Sequence, residues 1–147
     1  MLDGGAHFYD CYQTKDGKHI SIGSIEPQFY DLLLDKLEVD KEYFKAQNNT
    51  KKWSEYKAAL KHVFLTKTRD EWCDILEGTD VCFAPVLDYK EAQEHPHNKE
   101  RKTYFELDNI VQPAPAPRFS RTPSEVKSGS PKSGEHTEEI LKSWGIS

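Results

Sequence analysis

The sequence is short of the features that mark many common function classes. It has three cysteines, far apart and with no Cys-x-x-Cys pair. A metal knuckle or a disulfide framework is therefore not expected. Cys11, Cys73 and Cys82 read instead as buried thiols in a reducing compartment. Cationic charge is in the minority, with a net charge of -5 and a pI of about 5.7. That balance argues against a nucleic-acid or anionic-membrane partner. No run approaches the ~20 apolar residues of a membrane-spanning helix. Gly4-Gly5 has neither the spacing nor the following lysine of a phosphate loop. His95-Pro96-His97 comes nearest to a metal motif, but no carboxylate or thiol pattern completes it. Two surface histidines and no metal are expected there. The N-terminus, Met1 to Ala6, has no basic region and no apolar run, so it does not read as a secretory signal. There is no internal repeat, and the last four residues are not a peroxisomal-type tail.

Apolar residues are also scarce, at 36% with a mean hydropathy of -0.80. That is lean for a self-sufficient domain of 147 residues, and the shortage is concentrated in the last third. Five of the eight prolines lie from Pro113 onward, interspersed with Ser124, Ser128, Ser130 and Ser133. Such a stretch buries little and is expected to run extended along a surface. A helical pattern returns at Glu135 to Trp144, through Ile140, Leu141 and Trp144, and suggests a short docking helix. The boundaries that follow are a domain over 1–110 and an arm with its helix over 111–147.

The first 110 residues carry clear local signals. Phe8 to Gln13 and Lys18 to Ile25 alternate like strands, with Asp16-Gly17 as the hairpin turn between them. Phe8 and Tyr12 share one face of the first strand, and Ile20 and Ile22 share one face of the second. Pro27 opens a helix to about Leu37, with Phe29, Leu32, Leu33 and Leu37 as its buried stripe. Asp40 caps a short helix to Phe44, and Gln47-Asn48-Asn49 is a loop. Thr50 opens a longer helix with Trp53, Tyr56, Leu60, Val63 and Phe64 on one side, which reads as core. Thr68-Arg69-Asp70-Glu71 is a capping box, and Gly78 closes its helix. Val81 to Leu87 is a strand in which Pro85 marks an edge or bulge. A short helix follows Asp88 until Pro96 disturbs it, and Thr103 to Leu107 is a last strand. The expected class is α+β: a small, mostly antiparallel sheet with covering helices, then an extended Pro/Ser-rich arm and a short C-terminal helix.

Glu26 is out of place in this pattern. It precedes Pro27 and so falls at the N-cap, where Ser, Thr, Asp or Asn reach back to the free amides and glutamate is too long to do so well. A carboxylate thus sits between an apolar strand and an apolar helix, at an end that attracts negative charge. Gly23, just upstream, leaves room for something to approach the backbone. Glu26 is a candidate for chemistry. The plainer reading is a solvated helix-end carboxylate.

Several motifs, taken in order, carry a family resemblance. Leu2-Asp3-Gly4-Gly5-Ala6, the Asp16-Gly17 hairpin and Ile25-Glu26-Pro27-Gln28-Phe29 come first. Glu71-Trp72-Cys73, Gly78-Thr79-Asp80 and Pro85-Val86-Leu87 follow, then His97-Asn98-Lys99-Glu100-Arg101, Pro115-Ala116-Pro117-Arg118-Phe119 and Gly134 to Leu141. Together they resemble the α-methylacyl-CoA racemases of the family III CoA-transferase superfamily. The resemblance covers nearly the whole chain. It departs at His7, where the family commonly has proline, and His7 is expected to be solvated.

The resemblance implies a C-terminal portion: a small domain and the arm that returns to a large domain. The family's catalytic histidine and aspartate lie in that N-terminal large domain. In the family two subunits interlock, and each active site lies between the large domain of one and the small domain of the other. Glu26 would be the small domain's supporting carboxylate, with Gly23 and Ile25 as candidate substrate-binding positions. The implied substrate is an acyl-CoA, so CoA arrives with the substrate and no separate cofactor is expected. The implied partners are the family's large domain and a second subunit. Two alternatives stand beside the racemase. One is a CoA-transferase of the same superfamily, a branch that generally does not keep this glutamate. The other is a non-catalytic acyl-CoA-binding or assembly module.

Overall fold

The computed structural model of the protein describes residues 1–146. By contacts it divides into two units, Met1–Asp88 and Tyr89–Ser147. It is a mixed α/β structure with small antiparallel sheets, several helices and a short helix near the C-terminus.

The first unit is built on a three-stranded antiparallel sheet, in which β2 (His19–Gly23) lies between β1 (Tyr9–Gln13) and β3 (Phe83–Val86). The Asp16-Gly17 turn sets the register that pairs Tyr12 with Ile20 and Asp10 with Ile22, with Gly17 in the left-handed region at φ 79°. Period-two alternation then turns Phe8, Tyr12, Ile20 and Ile22 into the core, as the pattern requires. Pro85 sits on β3, an edge strand, where its missing N–H breaks no ladder between two neighbours.

Helices α1 (Pro27–Lys36), α2 (Lys41–Phe44), α3 (Trp53–Phe64) and α4 (Arg69–Leu76) complete this unit. Their starts follow local chemistry. Pro27 occupies the first turn of α1, the Asp40 side chain accepts from the Glu42 amide, and the Thr68/Glu71 capping box is fully formed. The long helix begins at Trp53 rather than Thr50, because residues 50–52 form a turn. Tyr56, Leu60 and Phe64 on α3 pack with Trp72 and Leu76 of α4, and the Trp72 indole donates to the Phe64 carbonyl at 2.9 Å.

Burial also departs from expectation at three places. The buried stripe of α1 is Tyr30, Leu33, Leu34 and Leu37: Leu33 and Leu37 are as read in the sequence, while Phe29 and Leu32 are half-buried and give way to Tyr30 and Leu34. Both settings share the i, i+3, i+4 helical spacing, and the amphipathic Tyr30 goes inside because its hydroxyl finds partners there. Cys11 and Cys82 are exposed and Cys73 is half-buried, so they are not core thiols. Alternation along β1 points Cys11 away from the core.

His7, expected in solvent, is fully buried. Its ring lies among Phe8, Tyr30, Phe44 and Tyr56 at centroid distances of 5.0 to 6.4 Å. Its Nε2 is 2.7 Å from the Tyr30 hydroxyl, which donates to the Phe44 carbonyl at 3.1 Å. The Tyr12 hydroxyl donates to the His7 carbonyl at 2.6 Å. Partners 5 and 23 residues away pull this segment inward, so its place near the chain start says little about exposure.

In the second unit, α5 (Tyr89–Glu94) and α6 (Pro96–Glu100) are separated at Pro96, and the Asn98 amide donates to the Ala92 carbonyl at 2.8 Å. β4 (Tyr104–Leu107) pairs with β5 (Ile110–Pro113), which spans the expected boundary between the domain ending at residue 110 and the arm starting at 111. Asp108 and Asn109 form the two-residue turn between them, with φ of 53° and 62°. Residues tolerant of that region at both positions permit a tight hairpin without glycine. Beyond β5 the chain is irregular and exposed until α7 (Thr137–Ser143), on which Ile140 and Leu141 are exposed, as is Trp144 at its end.

Candidate functional site

Glu26 marks the point where β2 leaves the sheet, and each preceding residue is held by a long-range bond. The Gly23 amide donates to the Cys82 carbonyl at 2.9 Å, and the Ile25 amide folds back onto the Gly23 carbonyl at 2.8 Å. The buried Ser24 hydroxyl donates to the Val81 carbonyl at 2.7 Å. The side-chain amide of Gln47 donates to the carbonyls of Ser24 and Ile25 at 3.2 and 2.9 Å. These contacts replace the ladder bonds lost when the strand ends, as buried backbone polar groups require.

Glu26 is the N-cap of α1, with φ -70° and ψ 140°, and its side chain makes no capping hydrogen bond. Its carbonyl accepts from the Phe29 and Tyr30 amides at 3.1 and 3.0 Å. The backbone is therefore fixed, while the carboxylate is exposed to solvent with its oxygens unspent on the helix. Cys82 lies close by: burial pushes its thiol up, and the charges of Glu26 and Asp80 act in the same direction. Cys82 sits in the left-handed region at φ 54°.

Beside this junction, on the outer face of the sheet, is an open cleft of about 460 Å³. Tyr9, Cys11, Ser21, Gly23, Cys82 and Phe83 are among the residues that line it. A Cβ on Gly23 would stand 3.5 Å from the Tyr9 ring and 3.8 Å from the Cys82 Cβ. Gly23 therefore keeps the floor of the cleft clear, rather than relieving backbone strain. At the rim, Lys57 pairs with Asp10 at 2.8 Å and also donates to the Gly4 carbonyl, which ties the Leu2–Gly5 turn to α3.

Of the three site residues read from sequence, Gly23 lines this opening, and Glu26 is near enough to Cys82, which also lines it, for its charge to act on that thiol. Ile25 is half-buried and packs against the core. Gln47, which organises the junction, gave no sequence signal beyond a polar loop. Among the described residues no group of three or more His, Cys, Asp or Glu side chains is placed to hold a metal ion. Nor is any helix among them long and apolar enough to cross a membrane.

The sequence profile of CoA-transferase family III matches residues 2–137. The chain belongs to CoA-transferase family III. Within the family, this chain is 45% identical to the alpha-methylacyl-CoA racemase of Mus musculus and 44% identical to that of Homo sapiens. Each match covers 100% of the chain and 39% of the relative, whose C-terminal portion it is. The chain thus spans about two fifths of the length of these relatives. Family III CoA-transferases are more distant. Among solved structures, a CAIB/BAIF family protein from Brucella suis superposes with a TM-score of 0.71 at 20% identity, over 97% of this chain and 39% of that one. At that identity the likeness concerns the fold alone.

Proposed function

We propose that this family III chain is the C-terminal part of a 2-methylacyl-CoA racemase. It would supply Glu26 to an active site completed by a large domain and a second subunit. The observation that carries this reading is the 44–45% identity to racemases along the entire chain. The reaction would remove the proton α to the thioester carbonyl on one face and return a proton on the other, inverting the 2-methyl centre. It needs an acid–base pair on opposite faces and donors for the enolate oxygen. It needs no group beyond the substrate, which brings its own CoA.

The geometry of Glu26 supports a supporting role rather than that of the principal base. A carboxylate on a rigid backbone, with no capping bond to satisfy it, is available to accept from a proton-transferring group supplied by another domain. The proton-transfer pair itself falls outside residues 1–147 in the family pattern. The purified chain should therefore exchange no α-proton of a 2-methylacyl-CoA in deuterated buffer, while a full-length protein carrying this sequence should. Exchange by the chain alone would overturn the reading, as would transfer of CoA to a free acid by the full-length protein without racemisation.

A further inference from the structure

We propose that Gln47 is a positioning residue for Glu26. The inference rests on the reading of Glu26 as a supporting carboxylate and deepens it. Gln47 lies in the loop between α2 and α3, more than twenty residues from the site, yet its side chain is 8% exposed. Its amide nitrogen donates at 3.2 Å to the carbonyl of Ser24 and at 2.9 Å to that of Ile25, the two carbonyls immediately before Glu26. Both protons of one amide are thus spent on consecutive peptide units. The two planes that set the direction of the chain into Glu26 are held from a single point.

That point is itself fixed. The Trp53 indole donates to the Gln47 backbone carbonyl at 2.8 Å, and Trp53 packs edge-on to the buried Phe8 ring at 5.8 Å. Gln47 is thereby anchored to the core. From the other side the Ser24 hydroxyl reaches the Val81 carbonyl at 2.7 Å. Glu26 has no capping bond of its own, so the orientation of its backbone decides where its carboxylate is presented. Gln47 thus bonds to both residues that lead into Glu26. A glutamine suits this place because it carries two donors and no charge. Glutamate in its ionised form has no donor to offer, and asparagine is one methylene too short to span both carbonyls.

Two measurements test this. In the 1–147 chain, Gln47→Met should raise amide exchange at least about tenfold at Ile25, Phe29 and Tyr30, whose bonds run through residues 23 and 26, and leave Leu65 and Trp72 within about twofold. Should Gln47→Met not fold, Gln47→Asn is read in the same way. An equal rise at all five amides, or no rise, overturns the proposal. In the full-length protein, Gln47→Met should lower kcat for racemisation about tenfold to a hundredfold with KM little changed, as expected of a misplaced catalytic constellation. In a Glu26→Gln background the same substitution should cost less than about twofold, because its effect passes through the carboxylate it positions. An equal cost in both backgrounds overturns the proposal. If the unmutated full-length protein racemises nothing, the racemase reading fails and the exchange measurement still decides the role of Gln47.

Discussion

The imidazole of His7 and the hydroxyl of Tyr30 meet at 2.7 Å in a fully closed aromatic pocket, bridging residues 23 apart in sequence. With the tyrosine proton directed to the Phe44 carbonyl, the imidazole donates from Nε2 and its Nδ1 is buried with no partner among the described residues. The pocket therefore suits the neutral ring. Burial, aided by the charge of Lys57, lowers the His7 pKa from 6.5 to about 4.

A pH dependence of stability follows. The unfolded chain binds this proton near pH 6.5 and the folded chain only near 4, so acid favours unfolding. The stabilisation is complete above pH 6.5 and is lost as the pH falls to about 4, amounting to about 3 kcal/mol. Urea titrations at half-unit pH steps should show this slope, and His7→Phe should flatten it between those limits. An unchanged slope in the variant would assign the effect to another group.

The capping box of α4 should carry a separate, local cost. The Thr68 hydroxyl accepts from the Glu71 amide at 3.3 Å, and the Glu71 carboxylate accepts from the Thr68 amide at 2.7 Å. Thr68→Ala should lower unfolding free energy by about 1 kcal/mol, and Thr68→Ser should restore most of it. Denaturant midpoints at constant m value check this.

Gly23 separates folding from binding. Its Cβ position is 3.5 Å from the nearest Tyr9 atom, an ordinary contact, and the cleft is open to solvent. Gly23→Ala should leave the melting temperature within a few degrees, a change of about 0.5 kcal/mol or less. If the cleft receives acyl-CoA in the full-length protein, the same change should raise KM with kcat little altered. An unchanged KM would remove Gly23 from the binding surface.

Glu26→Gln in the full-length protein should do the opposite. The side chain is exposed and makes no capping bond, so folding should be indifferent to it. A carboxylate that supports the proton-transfer pair should affect kcat by tenfold or more and KM little. A KM effect alone would make Glu26 a binding residue.

Some elements were legible because their causes are local. Asp16-Gly17 specifies a hairpin, Pro27 and Asp40 start helices, and Thr68 with Glu71 closes a capping box, each through contacts within a few residues. The misplacement of Glu26 was legible for the same reason, since the N-cap preference it violates concerns only the next turn. The β4–β5 hairpin was missed because Asp108-Asn109 is a weaker turn signal than one containing glycine and lies beside a Pro-rich stretch.

The sequence by itself therefore determined the β1–β2 hairpin, the starts of α1, α2 and α4, the inward faces of β1 and β2, and the presence of a carboxylate at the strand–helix junction. Tertiary structure decided the phase of the α1 stripe, the burial of His7 and the recruitment of Gln47. Each of these depends on a bond between residues more than twenty positions apart. A polar side chain is costly inside only when it lacks a partner, and the partners of His7 and Gln47 are brought within reach only when the chain folds.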